Sequence, residues 1–119
     1  MAGIARESAQ RLYRLAKELS PEGLYGDDHV PLPIAETTWQ VCFFTDRGQG
    51  NDVEFGVFYP GRRYARETAI VYDDGRVEQS VEGRTRTPPG DVGAGEPALP
   101  DVSTLLGLIT EVLQKRIAG

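Results

Sequence analysis

Few residues in this chain have the chemical reach to catalyse or bind a metal: one histidine, His29, one cysteine, Cys42, and scattered carboxylates and arginines. His29 follows Asp27 and Asp28, three titratable neighbours of the kind that hold metals or move protons. Consecutive side chains do not converge on one ion, however, and zinc patterns need further His or Cys ligands. The run reads as a solvated acidic turn, with no metal and no cofactor implied. Cys42 and His29 are formally a nucleophile and a base. Such a pair works only when the thiolate is exposed and activated. Cys42 instead lies between Val41 and Phe43 in an apolar strand pattern, where cysteine behaves as a small hydrophobe. Gly48-Gln49-Gly50 lacks the third glycine, the following helix and the Gly-Lys-Ser/Thr of a phosphate loop. The acidic pairs Asp52/Glu54 and Glu78/Glu82 fall on strand faces beside solvent. No residue is assigned a catalytic role, and the chain is read as a non-enzyme.

Charge narrows the partners. The 119 residues carry a net charge of −5, yet residues 4–19 hold Arg6, Arg11, Arg14 and Lys17 against Glu7 and Glu18, a net +2, so the rest of the chain carries −7. An acidic surface disfavours nucleic acid and anionic membranes, and it suits docking onto a basic protein. A secondary basic group, Arg62, Arg63, Arg66, Arg84 and Arg86, interleaves with Tyr59 and Tyr64. That mixture can anchor a protein or stack on bases; here it reads as a solvated edge. No apolar stretch approaches the ~20 residues that span a bilayer, and MAGIARESAQRL lacks a signal peptide's apolar middle. A cytoplasmic protein without a membrane partner is expected, and one thiol makes no internal disulfide.

The elements that must position these residues follow from periodicity. Ile4, Ser8, Leu12, Leu15, Ala16 and Leu19 recur at three- and four-residue spacing and predict a helix over about 4–19, stopped before Pro21. A Gly-, Pro- and Asp-rich connection follows, with a short extended piece at Val30–Ile34 that Pro31 and Pro33 confine to a sheet edge. Strands are expected over about 38–45, 53–59, 68–72 and 76–82. In the first, Trp39, Val41 and Phe43 oppose Gln40, Cys42 and Phe44; in the second, Val53, Phe55, Val57 and Tyr59 oppose Glu54, Gly56 and Phe58. Pro60-Gly61 suits a type II turn, and Asp74-Gly75 suits a type I′ hairpin turn. Residues 83–100, with four Gly and four Pro, read as a long mobile loop. A second amphipathic helix over about 102–117 starts at an Asp101 cap and carries Leu105, Leu106, Ile109, Val112, Leu113 and Ile117 on its apolar stripe.

This order defines one α+β domain, 1–119, a two-layer sandwich in which a four-stranded antiparallel meander is covered on one face by the N- and C-terminal helices. The helix ending in Leu19-Ser20-Pro21-Glu22-Gly23, the aromatic strand at 39–45 and the strand at 53–59 resemble the layout of small acidic bacterial immunity proteins of polymorphic toxin systems. The likeness spans the first half of the chain and assigns no residue an inhibitory role. It implies a non-enzymatic domain that neutralises a cognate protein by direct binding. The candidate contacts are Asp46, Asp52 and Glu54 on the first hairpin and Tyr25, Asp27 and Asp28 in the connection. The alternative is a small-molecule module with an apolar pocket between sheet and helices.

Overall fold

The computed structural model describes residues 5–19, 29–44, 51–61, 65–79 and 99–119. In chain order they form α1 (Arg6–Leu19), β1 (Val30–Ile34), β2 (Thr37–Phe44), β3 (Asp52–Phe58), β4 (Glu67–Tyr72), β5 (Val77–Gln79) and α2 (Val102–Ala118). The sheet is a five-stranded antiparallel meander, each strand paired with its neighbours in sequence, so the class is α+β. Four strands were expected; the fifth is β1. Of the last expected strand, 76–82, only Val77–Gln79 is described as strand, and residues 80–98 lie outside the described set.

Alternation and register together make one face apolar. Val41 lies opposite Val30 and Val57, Phe43 opposite Phe55, Phe55 opposite Ala69, and Val53 opposite Val71. All of these are buried, in one cluster with Ala9, Leu12 and Ala16 of α1 and Leu105, Leu106, Ile109 and Leu113 of α2. Helix α1 packs on α2, β4 and β3, while α2 packs on α1 and β1. Leu15 and Val112 only half-enter the core, and Ser8, expected on the buried face of α1, is exposed. The buried stripe of α1 runs through Ala9, Leu12 and Ala16, and Ser8 falls on its solvent side. Tyr59 sits edge-on to Trp39, with ring centroids 5.0 Å apart at 74°. The Trp39 indole N–H is buried without an acceptor, an arrangement that costs about 1–3 kcal/mol.

Turn chemistry fixes the ends of the elements. Gly61 has φ 80, as a type II turn requires. The β4–β5 turn differs from expectation: Gly75 has φ 92, but Asp74 is not in the positive region, so this is not a type I′ turn. Gly75 N–H donates to Tyr72 O at 3.0 Å and Tyr72 N–H to Arg76 O at 2.9 Å, which closes a three-residue loop over Asp73-Asp74-Gly75. A tight turn followed by one left-handed glycine is the usual solution at that length. Asp74 reinforces it by accepting from the Arg76 backbone N–H at 3.0 Å and from its Nε at 2.9 Å. Helix α2 begins as its sequence implies: Asp101 accepts from Thr104 N–H at 3.2 Å, and Lys115 and Arg116 occupy the last turn. Hydrogen bonds from Arg76 and Thr104 hold the carboxyls of Asp74 and Asp101 below the usual carboxylate range. Their help to folding is therefore complete above the ordinary Asp value and disappears as pH falls through the lowered one.

Two backbone positions give opposite expectations. A Cβ on Gly75 would meet Arg6 Cγ at 2.4 Å and Arg6 O at 2.7 Å, so this glycine lets the hairpin press against the start of α1. Gly75→Ala should lower stability by about 2–3 kcal/mol through strain and a displaced helix, read as a lower urea midpoint at unchanged slope. Ala35, exposed in the two-residue β1–β2 connection, has φ 54. The left-handed region costs a non-glycine residue about 1–2 kcal/mol, while glycine adds about 0.4–1 kcal/mol of unfolded-state entropy. Ala35→Gly should raise stability by the difference, about 0.8 kcal/mol, read as a higher urea midpoint at unchanged slope.

Candidate docking face

The residues between those of the apolar face point the other way, and the register arranges them in rows. Asp52 lies opposite Tyr72; Glu54 lies opposite Ile70, which lies opposite Glu78; Gly56 lies opposite Thr68; and Gln40 lies opposite Phe58. Strands about 4.8 Å apart bring these rows into one patch. Asp52, Glu54, Ile70 and Tyr72 are half-buried and Glu78 is exposed. At the far end, Ala65 stands over Gly56, and Arg66 N–H donates to Val57 O at 2.7 Å.

Tyr72 organises the acidic end. Its hydroxyl donates to Glu78 Oε1, and this bond is the main reason its own proton is held more tightly than usual. The Arg76 guanidinium lies 4.1 Å from the centre of the Tyr72 ring while its Nε donates to Asp74. Asp52 Oδ1 is shielded from solvent and has no hydrogen-bond donor. On the helix side, burial first, then the charges of Asp73 and Asp52, raise the Tyr13 phenol.

Of the expected contacts, Asp52 and Glu54 fall together on this face, two residues apart on β3. Tyr25, Asp27, Asp28 and Asp46 lie outside the described residues. So do Arg62, Arg63, Tyr64, Arg84 and Arg86; Tyr59, half-buried, packs against Trp39. Ile70, Tyr72 and Glu78 were not among the expected contacts. Alternation in 68–72 and 76–82 was the signal for them, since it sets Ile70 and Tyr72 on one face and Glu78 with them once the turn length is known.

The groups considered for catalysis are placed otherwise. Cys42 is buried, and burial, then the nearby Glu54 charge, push its thiol up to about 11. His29 rests its ring edge-on against Phe58, centroids 5.9 Å apart. Among the described residues no three His, Cys, Asp or Glu side chains are placed to hold a metal ion, and no helix is long and apolar enough to cross a membrane. A cavity between the sheet and α2, lined by Phe55, Val57, Ala69, Val102, Leu105 and Ile109, holds about 10 Å³, space for one water. No family model, curated protein or solved structure matches the chain.

The thiol gives a direct check. A value near 11 against an ordinary 9.0 leaves the native thiolate about a hundredfold scarcer at neutral pH. Cys42 should react with a disulfide reagent at least about a hundredfold more slowly in the folded protein than in guanidinium. Equal rates in the two states would mean that the thiol is open to attack.

Proposed function

We propose that this chain is a non-enzymatic protein-binding domain, of the immunity-like kind, that occludes a basic partner with the sheet face turned away from its helices. One observation carries the reading: Asp52, Glu54 and Glu78 stand around Ile70 and Tyr72 on one face. An aromatic and an aliphatic side chain ringed by carboxylates is the composition of a docking surface, with apolar contact for affinity and charge for orientation and encounter. The alternative, a small-molecule module with an apolar pocket between sheet and helices, needs a cavity of hundreds of Å³; the described one under α2 holds about 10 Å³, room for a water. A reducing, cytoplasmic setting suits the single buried thiol.

The test is kinetic. A partner recovered by affinity capture from native extract and identified by mass spectrometry should bind Asp52→Asn/Glu54→Gln more slowly than wild type at low salt, by about threefold or more. The gap should close as salt rises and the Debye length shrinks from ~30 Å at 0.01 M to ~8 Å at 0.15 M. Glu7→Gln/Glu18→Gln, on the exposed side of α1, is the matched control and should bind as wild type does. Association unchanged by the β3 substitutions at both salts removes this face from the interaction.

A further inference from the structure

We propose that Asp74-Gly75 is a dormant covalent modification site: the closed hairpin holds it unreactive, and opening of the turn lets Asp74 convert to isoaspartate. It is the one Asp-Gly or Asn-Gly step in the 119 residues. Glycine after aspartate is where a backbone nitrogen most readily reaches the preceding side chain, because no Cβ crowds its approach. In the reaction the Gly75 nitrogen bonds to Asp74 Cγ, and the carboxyl hydroxyl leaves with the amide proton as water, closing a five-membered succinimide. Water then adds to the Asp74 main-chain carbonyl carbon and breaks its bond to the ring nitrogen. The main chain now runs through Cγ, one carbon longer than before, and the former main-chain carbonyl is a free carboxyl. Addition of water at Cγ instead restores aspartate. Solvent water is the only co-reactant, and no electrons are transferred.

Three hydrogen bonds must break before the reacting atoms can be brought into line. Gly75 N–H donates to Tyr72 O at 3.0 Å, which engages the nucleophilic nitrogen and fixes its peptide plane. Asp74 Oδ1 accepts from the Arg76 backbone N–H at 3.0 Å, and Oδ2 accepts from Arg76 Nε at 2.9 Å. These bonds, with the Arg6 charge adding to them, also keep the carboxyl ionised, and a carboxylate has no hydroxyl to lose. Arg76 is itself held, its guanidinium 4.1 Å from the centre of the Tyr72 ring. Asp74 is exposed while Gly75 beside it is buried, with Arg6 Cγ and the Arg6 carbonyl oxygen filling the space next to its Cα. The same crowding makes the change one-way in effect. A chain one carbon longer between residues 74 and 75 does not fit a three-residue loop pressed against α1, so the pairing of Tyr72 with Arg76 is not regained.

Ageing the full chain at neutral pH, in buffer and in guanidinium, provides the test. Isoaspartate at residue 74 is measured by isoaspartyl methyltransferase labelling and peptide mass spectrometry. It should accumulate at least about tenfold more slowly in buffer, in proportion to the small population of open hairpin. Arg76→Met keeps the backbone N–H and the length of the stem but loses the side-chain donor. It should raise the rate in buffer by about twofold or more and leave the rate in guanidinium unchanged. Arg14→Gln, exposed on α1, should change neither. Chains modified in guanidinium and returned to buffer should show displaced amide signals at Arg6, Tyr72 and Glu78. Equal rates in the two solvents, or no isoaspartate at residue 74 in either, overturn the proposal. A rate in Arg76→Met that matches wild type, or that rises only in step with a lower urea midpoint, overturns the guarding role of the hairpin. Native signals from the modified chain overturn its one-way effect.

Discussion

A slip of one residue in the pairing of β3 would exchange Phe55 and Val57 for Glu54 and Gly56 on the helix-packed side, and every other feature depends on that not happening. The lock is the matching of apolar positions across the strands, Val41 to Val57, Phe43 to Phe55 and Val53 to Val71, under two helices that bury Leu12, Ile109 and Leu113 against them. Each large side chain removed from water contributes about 1.5–3 kcal/mol, so a slipped register loses many such terms at once. The same lock sets the polar face. Asp52, Glu54, Tyr72 and Glu78 share a surface because their neighbours in sequence are held in the core, and no contact among the polar groups themselves is needed to bring them together.

The two edges of the sheet are finished differently. In β1, Val30, Leu32 and Ile34 alternate with Pro31 and Pro33. Proline has no N–H, and it is tolerated where that N–H would point away from the sheet. The outer rim of β1 therefore lacks donors at two positions where a sixth strand would pair. At the other side, β5 is described over Val77–Gln79, and Glu78 on it is exposed. A charged side chain on such a strand discourages edge-to-edge association.

Much of this arrangement was legible in the residues. The two helices, the strand alternation, the Asp101 cap and the edge position of Val30–Ile34 all follow from spacing and from what proline and aspartate do to a backbone. Strand count was not, because Val-Pro-Leu-Pro-Ile joins β2 through Ala35-Glu36, a pair with no turn signature, in which Ala35 takes a left-handed conformation usually left to glycine. The Asp74-Gly75 hairpin was expected, but its length was not: Asp73 joins the loop, and the pairing of Tyr72 with Arg76 decides which side chains of β5 share a face with Tyr72. For the candidate face, Asp52 and Glu54 could be read from composition and alternation along one strand. Ile70, Tyr72 and Glu78 needed the cross-strand register, a long-range quantity that no local pattern carries.

The packing of α1 against α2 has a consequence during synthesis. Roughly 80 residues separate the end of one helix from the start of the other, and at ~5–20 residues per second a ribosome needs roughly 4–16 s to make them. Over that interval the stripe of Leu12, Leu15 and Leu19 has no helix to pack against, and β3 and β4 emerge only partway through. Apolar surface exposed in this way is prone to aggregate, and Arg11, Arg14 and Lys17 beside the stripe give the waiting segment positive charge.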